Sequence, residues 1–187
     1  EARARYLQVL TLDHENRRGM SGYSATNLLS QFSDAIETEE PGKAAMLLDR
    51  VERELEQAGI DVGILVPGRE RLKLLNSRLA LRSAIQRQPL SPDAWPDISL
   101  LLDEMAALKG GKPLAKSGRQ GLKAIQASYS AVQKNDYETA RDQIEQAEQL
   151  LSPLGVKQLA SARSEIQSQQ RRWQAERDQE IETLLRR

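Results

Sequence analysis

The chain has 187 residues, which suits one domain or two small ones, and its 39% apolar and 29% charged residues favour a packed protein over a disordered one. It contains no cysteine, which excludes disulfides, thiolate metal sites and a cysteine nucleophile. Its formal net charge is zero, so no overall field draws the chain to nucleic acid or to anionic lipid.

The spacing of apolar residues predicts eight helical segments. Strong helix formers such as Leu, Ala, Gln, Glu and Arg are frequent, whereas the β-branched residues that favour strands are sparse. The predicted segments cover residues 2–12, 17–36, 41–58, 69–87, 98–108, 114–134, 137–151 and 156–187. The sequence therefore predicts an all-α fold of antiparallel helix pairs with a long C-terminal helix.

Proline and glycine mark the connections between these segments. Three prolines interrupt residues 89–96, which favours a boundary between a sub-bundle at 1–88 and a second at 89–155, followed by a long helix at 156–187. The apolar link at residues 60–68 is expected to fold back on the core. No apolar run approaches the ~20 residues that cross a bilayer, and no signal peptide is visible. The chain starts without Met and inside a helical pattern, so we expect a fragment of a longer protein that links through its last helix to a further domain.

Charge alternates along the chain. Residues 34–56 carry eight acidic and three basic side chains, and residues 69–87 carry six basic and one acidic. The same alternation recurs from the basic residues 109–123 to the acidic residues 136–148. This pattern indicates acidic helices lying beside basic ones. It disfavours nucleic-acid binding, because no aromatic stacking platform is interleaved with the basic residues.

An internal similarity links two distant segments. Residues 44–59 align without gaps on residues 140–155, with apolar residues on apolar residues and Gly59 on Gly155. The aligned pairs are Ala44 with Ala140, Leu48 with Ile144, Val51 with Ala147 and Leu55 with Leu151. The shared stripe and shared glycine stop predict a structural repeat.

The first helical segment and its exit turn carry a second pattern, formed by Ala2, Tyr6, Val9, Leu10, Leu12, Asp13, His14 and Asn16. These residues resemble the second helix and exit turn of a tetratricopeptide repeat, with His14 where the family prefers proline. Residues 135–147, preceded by the small Ser128, resemble the same unit. The resemblance implies degenerate helix pairs stacked into a curved array whose concave surface binds peptides or partner domains, with an irregular bundle as the alternative arrangement.

No pattern for catalysis, cofactor binding or metal binding emerges. The single histidine, His14, is expected in a solvated turn without convergent partners. The link at residues 110–113 lacks the upstream glycine of a phosphate loop and the Ser/Thr that follows its lysine. The acidic residues Glu37, Glu39 and Glu40 lack the spacing of a calcium loop. The sequence predicts a protein that is not an enzyme and has no cofactor.

The two tryptophans lie in different kinds of sequence. Trp95 lies in the proline-rich link and is expected to anchor the sub-bundles. Trp173 lies in an otherwise polar stretch of the last helix, which is expected to pack sparsely along the body, to project to a further domain, or to pair weakly with another copy.

We therefore expect a non-catalytic helical scaffold that binds a protein or peptide. Five residues are candidates for partner binding, because helical spacing places them near the edge of a helix face: Tyr23, Asn27, Arg78, Arg82 and Tyr129. Two alternatives stay open. One is a sensing or spacer region of a larger bacterial envelope receptor or kinase, and the other is a nucleic-acid or small-molecule binder that uses the basic helices. The compartment, a bacterial cytoplasm or envelope, and the oligomeric state are left open.

Overall fold

The structure, a computed structural model, describes residues 2–13 and 16–186. These residues form eight α-helices and three short 3₁₀ helices, and no β-strand occurs among them. The α-helices are α1 (Ala2–Leu12), α2 (Arg17–Glu37), α3 (Pro41–Gln57), α4 (Val66–Arg87), α5 (Trp95–Ala107), α6 (Gly111–Gln133), α7 (Tyr137–Leu151) and α8 (Ala160–Leu185). The 3₁₀ helices are Val62–Leu65, Pro92–Ala94 and Ser152–Leu154. The prediction of an all-α fold with a long C-terminal helix is confirmed.

Some helix ends differ from the predicted ones, for local reasons. The apolar link at residues 60–68 is largely helical, because the Asp61 side chain accepts a hydrogen bond from the Gly63 N–H at 2.8 Å and starts a 3₁₀ turn that runs into α4. The last helix begins at Ala160, four residues later than predicted, because the Leu159 N–H donates to the Glu148 carboxylate at 2.7 Å instead of starting a helical turn. Trp95 opens α5 instead of lying in a link.

The chain divides into two compact units, one from Glu1 to Asn76 and the other from Ser77 to Arg187, and the division falls within α4. In unit 1 the core lies between α2 and α3. Asn16 caps α2 by accepting a hydrogen bond from the Gly19 N–H at 2.8 Å. The buried apolar residues of this core are Ala25, Leu28, Phe32, Ala35, Ala44, Leu47, Leu48, Val51, Leu55 and Leu65.

In unit 2 the core lies between α6 and its neighbours α5 and α7. Two glycines of α6 permit close approach. A Cβ on Gly118 would lie 2.3 Å from the Leu102 side chain of α5, and one on Gly121 would lie 2.5 Å from the Leu151 side chain of α7. The leucine side chains of α5 and α7 therefore pack directly on the α6 backbone at these points, which no larger residue than glycine would allow without a shift.

The α2–α3 and α6–α7 hairpins turn in the same way, 96 positions apart. Glu39 and Asn135 both have a positive φ, at 57° and 60°. The residue after each donates its N–H to the carbonyl five positions back, at 2.9 Å from Glu40 and 3.0 Å from Asp136. Each turn therefore ends its first helix with one left-handed residue, a conformation that costs a side-chain-bearing residue energy and is held by the following hydrogen bond.

The ends of α3 and α7 match in the same register. Gly59 and Gly155 have positive φ angles of 64° and 81°. The next residue again donates to the carbonyl five positions back, at 2.9 Å from Ile60 and 3.4 Å from Val156. Both glycines supply the left-handed conformation that ends a helix without a Cβ penalty.

The described residues do not show a tetratricopeptide-like repeat. The α2–α3 hairpin takes residues 17–57 and the α6–α7 hairpin residues 111–151, so each is longer than the helix–turn–helix unit of about 34 residues in that family. No helix formed by the described residues combines the length and the apolar character needed to span a membrane.

Candidate partner-binding surfaces

The five residues predicted for partner binding fall in both units. Tyr23 and Asn27 lie on α2 in unit 1, whereas Arg78 and Arg82 on α4 and Tyr129 on α6 lie in unit 2. Asn27 is exposed and the other four are half-buried. Tyr129 and Arg82 have separate surroundings within unit 2.

Tyr129 belongs to an aromatic pair. Its ring lies edge-on to the ring of Trp95, with centroids 5.5 Å apart and an interplanar angle of 86°. The Trp95 Nε1–H donates to the Pro89 carbonyl at 3.1 Å, which satisfies the indole and fixes the start of α5. Tyr129 therefore packs within unit 2 and does not line the cleft that contains Arg82.

Arg82 lies in an open cleft beside the start of α8. The cleft has a volume of about 720 Å³ and is lined by Arg82, Gln86, Gly155, Lys157, Gln158 and Ala160. Two of these side chains are cationic, two are amides and none is acidic. We call this feature the Arg82 cleft. Its lining favours a polar partner with negative charge over an apolar ligand.

Two contacts position the walls of the Arg82 cleft. The Ser161 hydroxyl in the first turn of α8 donates to the Gln86 carbonyl at 3.1 Å, which joins α8 to the end of α4. Gly155 lets the chain pass close to Arg82, because a Cβ there would lie 2.8 Å from the Arg82 Nη1 atom. The cleft is therefore formed by the fold and not by one flexible loop.

A charged pair holds the start of α8 against α7. The Glu148 carboxylate accepts from Arg163 Nε at 3.0 Å and from Arg163 Nη2 at 2.5 Å, in a two-pronged arrangement. It also accepts from the Leu159 N–H at 2.7 Å. The Arg163 hydrogen bonds lower the pKa of Glu148 below its ordinary value of 4.5, although burial opposes them, and they raise the pKa of Arg163. The pair therefore orients the segment that carries Lys157 and Gln158.

A second, smaller groove runs between α6 and α7. Its volume is about 320 Å³, and it is lined by Gln120, Lys123, Ala124, Gln143, Gln146 and Leu150. Most of its exposed lining is apolar, with three amides and one lysine at its sides. It offers hydrogen bonds without the concentrated charge of the Arg82 cleft.

The C-terminal half of α8 makes almost no contact with the rest of unit 2. The last large side chain with partial burial is Trp173, whose ring lies 5.9 Å from that of Tyr137 and carries the Arg177 guanidinium 4.9 Å from its centre. Residues 174–186 are all exposed, including Ile181, Leu184 and Leu185.

The described residues contain no group of three or more histidine, cysteine or acidic side chains placed to hold a metal ion. His14, predicted to lie in a solvated turn, is outside the described residues.

The Glu40 carboxylate accepts a hydrogen bond from Lys43 Nζ at 3.1 Å and another from the Thr38 hydroxyl, and both lower its pKa. This carboxylate is therefore engaged in local contacts at the end of α2.

Helical spacing selected Arg82 as a candidate but did not select its cleft neighbours Gln86, Lys157 and Gln158. Gly155 was recognised only as a helix stop. One sequence signal points towards Lys157 and Gln158: they follow Gly155, and a left-handed glycine turns the chain back towards the preceding helices. This signal does not tell which helix those residues approach.

Comparison with known proteins found no family model, no curated protein and no solved structure that matches this chain.

Proposed function

We propose that this chain is a non-catalytic helical scaffold that binds a protein or peptide partner through the Arg82 cleft. The observation that carries the proposal is the lining of the cleft, in which the cationic side chains of Arg82 and Lys157 stand beside Gln86 and Gln158. Its open form suits an extended segment of a partner better than a small enclosed ligand.

The chemistry of the lining selects the partner. Arginine pairs with carboxylates through two parallel hydrogen bonds, and lysine contributes a point charge. The amides of Gln86 and Gln158 are suited to hydrogen bonds with the backbone of an extended peptide. The expected ligand is therefore a peptide segment with one or more Asp or Glu side chains.

Selection from a random peptide display library against the whole chain tests this function. We expect enrichment of acidic peptides. The strongest of them, made synthetically, should bind the Arg82→Ala and Lys157→Ala variants roughly twofold to fivefold more weakly, since an exposed charge pair contributes up to about 1 kcal/mol.

Arg141→Ala is the matched control, because Arg141 is an exposed arginine of unit 2 outside the cleft. It should leave peptide affinity unchanged. Selection of no peptide, or of peptides that bind both cleft variants as tightly as the natural chain, contradicts the proposal. Circular dichroism of each variant separates loss of binding from loss of folding.

The same variants distinguish nucleic acid from peptide as the ligand. A labelled single-stranded oligonucleotide is titrated at low and high salt. Binding that falls steeply with salt and depends on Arg82 would favour the nucleic-acid alternative instead. The envelope sensing or spacer role stays a separate prediction.

A further inference from the structure

The groove between α6 and α7 lies between two helices that are joined at two points. The Ser117 hydroxyl donates to the Leu150 carbonyl, and the Ser128 hydroxyl donates to the Ala140 carbonyl at 2.8 Å. Between these bonds, the α6 backbone at Gly121 lies directly against a leucine side chain of α7. The groove is therefore preformed by the hairpin, so that a ligand does not have to order it on binding.

The two walls of this groove follow the spacing of a helix face. The residues at intervals of four, three and four are Lys116, Gln120, Lys123 and Ala127 on α6, and Thr139, Gln143, Gln146 and Leu150 on α7. We call these two sets the α6 wall and the α7 wall, and five of their eight residues line the groove directly. Each wall is about 16 Å long at 1.5 Å per residue, which matches three turns of a third helix lying between them.

The floor of the groove has room for an apolar side chain. It contains Ala124, which is 5% exposed. In the α2–α3 hairpin, which turns in the same way, the residue 96 positions before Ala124 is Leu28, and the one 96 positions before Gln143 is Leu47. Both leucines are 5% exposed. The α6–α7 hairpin thus has a smaller and a more polar side chain where the α2–α3 hairpin buries two leucines, and its groove of about 320 Å³ suits an aliphatic side chain from a partner.

The two walls differ in charge. The α6 wall carries Lys116 and Lys123, which are both exposed, whereas the α7 wall is uncharged. The exposed carboxylate of Asp142 lies further round α7, on the side away from α6. A helix in the groove therefore meets two cations along one of its flanks, and carboxylates on that flank complement them.

We propose that this groove binds an amphipathic helix of a partner protein. The helix places aliphatic side chains over Ala124 and carboxylates beside Lys116 and Lys123. One helix in one groove is a small interface, so the dissociation constant is expected on the order of 100 μM. The groove is lined by α6 and α7, whereas the Arg82 cleft is lined by α4 and the region where α8 begins. The proposal therefore does not depend on peptide binding in that cleft.

Three synthetic peptides of about 18 residues, long enough to span the groove, test this proposal. The first has leucines at intervals of four and three on one face, glutamates along one flank, and alanine and glutamine elsewhere. The second has lysines in place of the glutamates, and the third is the first with a central proline that breaks the helix. In fluorescence anisotropy with the whole chain, the second and third peptides should bind at least about tenfold more weakly than the first.

Variants of the groove test the same contact from the side of the chain. Lys123→Glu should weaken binding of the acidic peptide at least about fivefold, because an attraction becomes a repulsion. Ala124→Leu should weaken it by a similar factor, because the leucine fills the floor as Leu28 does in the other hairpin. The matched control is Lys73→Glu, which makes the same charge change at an exposed lysine of α4 in unit 1 and should leave the affinity unchanged. Circular dichroism melting checks that each variant is folded.

Photochemical cross-linking locates the bound peptide. A photoreactive leucine in the acidic peptide should label residues 116–127 and 139–150. Labelling of residues 155–160 instead would place the peptide in the Arg82 cleft and overturn the proposal. So would a lack of binding at about 1 mM, equal binding of the proline peptide, which indicates an extended ligand, or an unchanged affinity of both groove variants. Self-association of the chain that Lys123→Glu abolishes in sedimentation velocity would identify a second copy as the occupant, which also contradicts the proposal.

Discussion

Glu148 of α7 and Arg163 of α8 form a two-pronged ion pair, with hydrogen bonds of 3.0 and 2.5 Å, and the same carboxylate accepts the Leu159 N–H. One side chain thus fixes both the start of α8 and its orientation on α7. Because Lys157 and Gln158 immediately precede this start, the pair also sets the position of two residues of the Arg82 cleft.

Glu148→Gln should reduce the free energy of unfolding by about 1 kcal/mol at pH 7, because the amide keeps the shape but loses the charge. The pKa of Glu148 is lowered by folding, so its contribution is fully present above its ordinary value of 4.5 and is lost as pH falls through the lowered value. Urea titrations from pH 7 to pH 3 should therefore show the difference between the two proteins disappearing at acid pH.

The matched control for this pair is Asp103→Asn, which breaks the exposed ion pair between Arg119 and Asp103. Exposed pairs contribute little, so we expect a change within about 0.5 kcal/mol at pH 7. An equal loss in both variants would contradict a special role for Glu148.

Gly118→Ala should destabilise the protein by about 1 kcal/mol or more. The added Cβ would lie 2.3 Å from Leu102, which is fully buried and has little room to move, so overpacking outweighs the better helix propensity of alanine. In Gly42→Ala the new Cβ would meet nothing within 4 Å, so that variant should be neutral or slightly stabilised. Thermal unfolding of both variants measures the contrast, and equal melting temperatures would refute it.

Gly59→Ala should cost about 1–2 kcal/mol although its Cβ would enter open space, because the φ of 64° is left-handed. Gly59→Asn should cost less, since asparagine adopts this conformation more readily. Chemical denaturation of the two variants separates a backbone cause from a packing cause. If alanine and asparagine cost the same, backbone strain is not the reason.

Glu40→Asp should stabilise the protein by about 0.5–1 kcal/mol. Asp136, 96 positions later and with nearly the same backbone angles, caps α7 by accepting from the Thr139 N–H at 3.1 Å, whereas Glu40 makes no such cap on α3. Asp136→Ala should lose about 1 kcal/mol. Urea titration gives both values, and an unchanged or weakened Glu40→Asp variant would show that α3 cannot use the cap.

Much of the fold could be predicted because the signals are local. The period of apolar residues placed all eight helices, and the glycine stops at 59 and 155 both have a left-handed conformation in the structure. The helical character of residues 62–65 was missed, because an aspartate cap and a short 3₁₀ turn leave no apolar period to read. For the candidate site, Arg82 was found from helical spacing, but Lys157 lies in a non-helical segment to which spacing does not apply.

The sequence by itself determined which residues are helical and which face of each helix is apolar, because both follow from the chemistry of neighbours within one or two turns. Only the tertiary structure decided which apolar faces are covered. Val9 of α1 and Met105 of α5 are both apolar residues of helices, yet Val9 is 39% exposed and Met105 is fully buried. Burial depends on what packs against a face, and residues distant in the chain supply that contact.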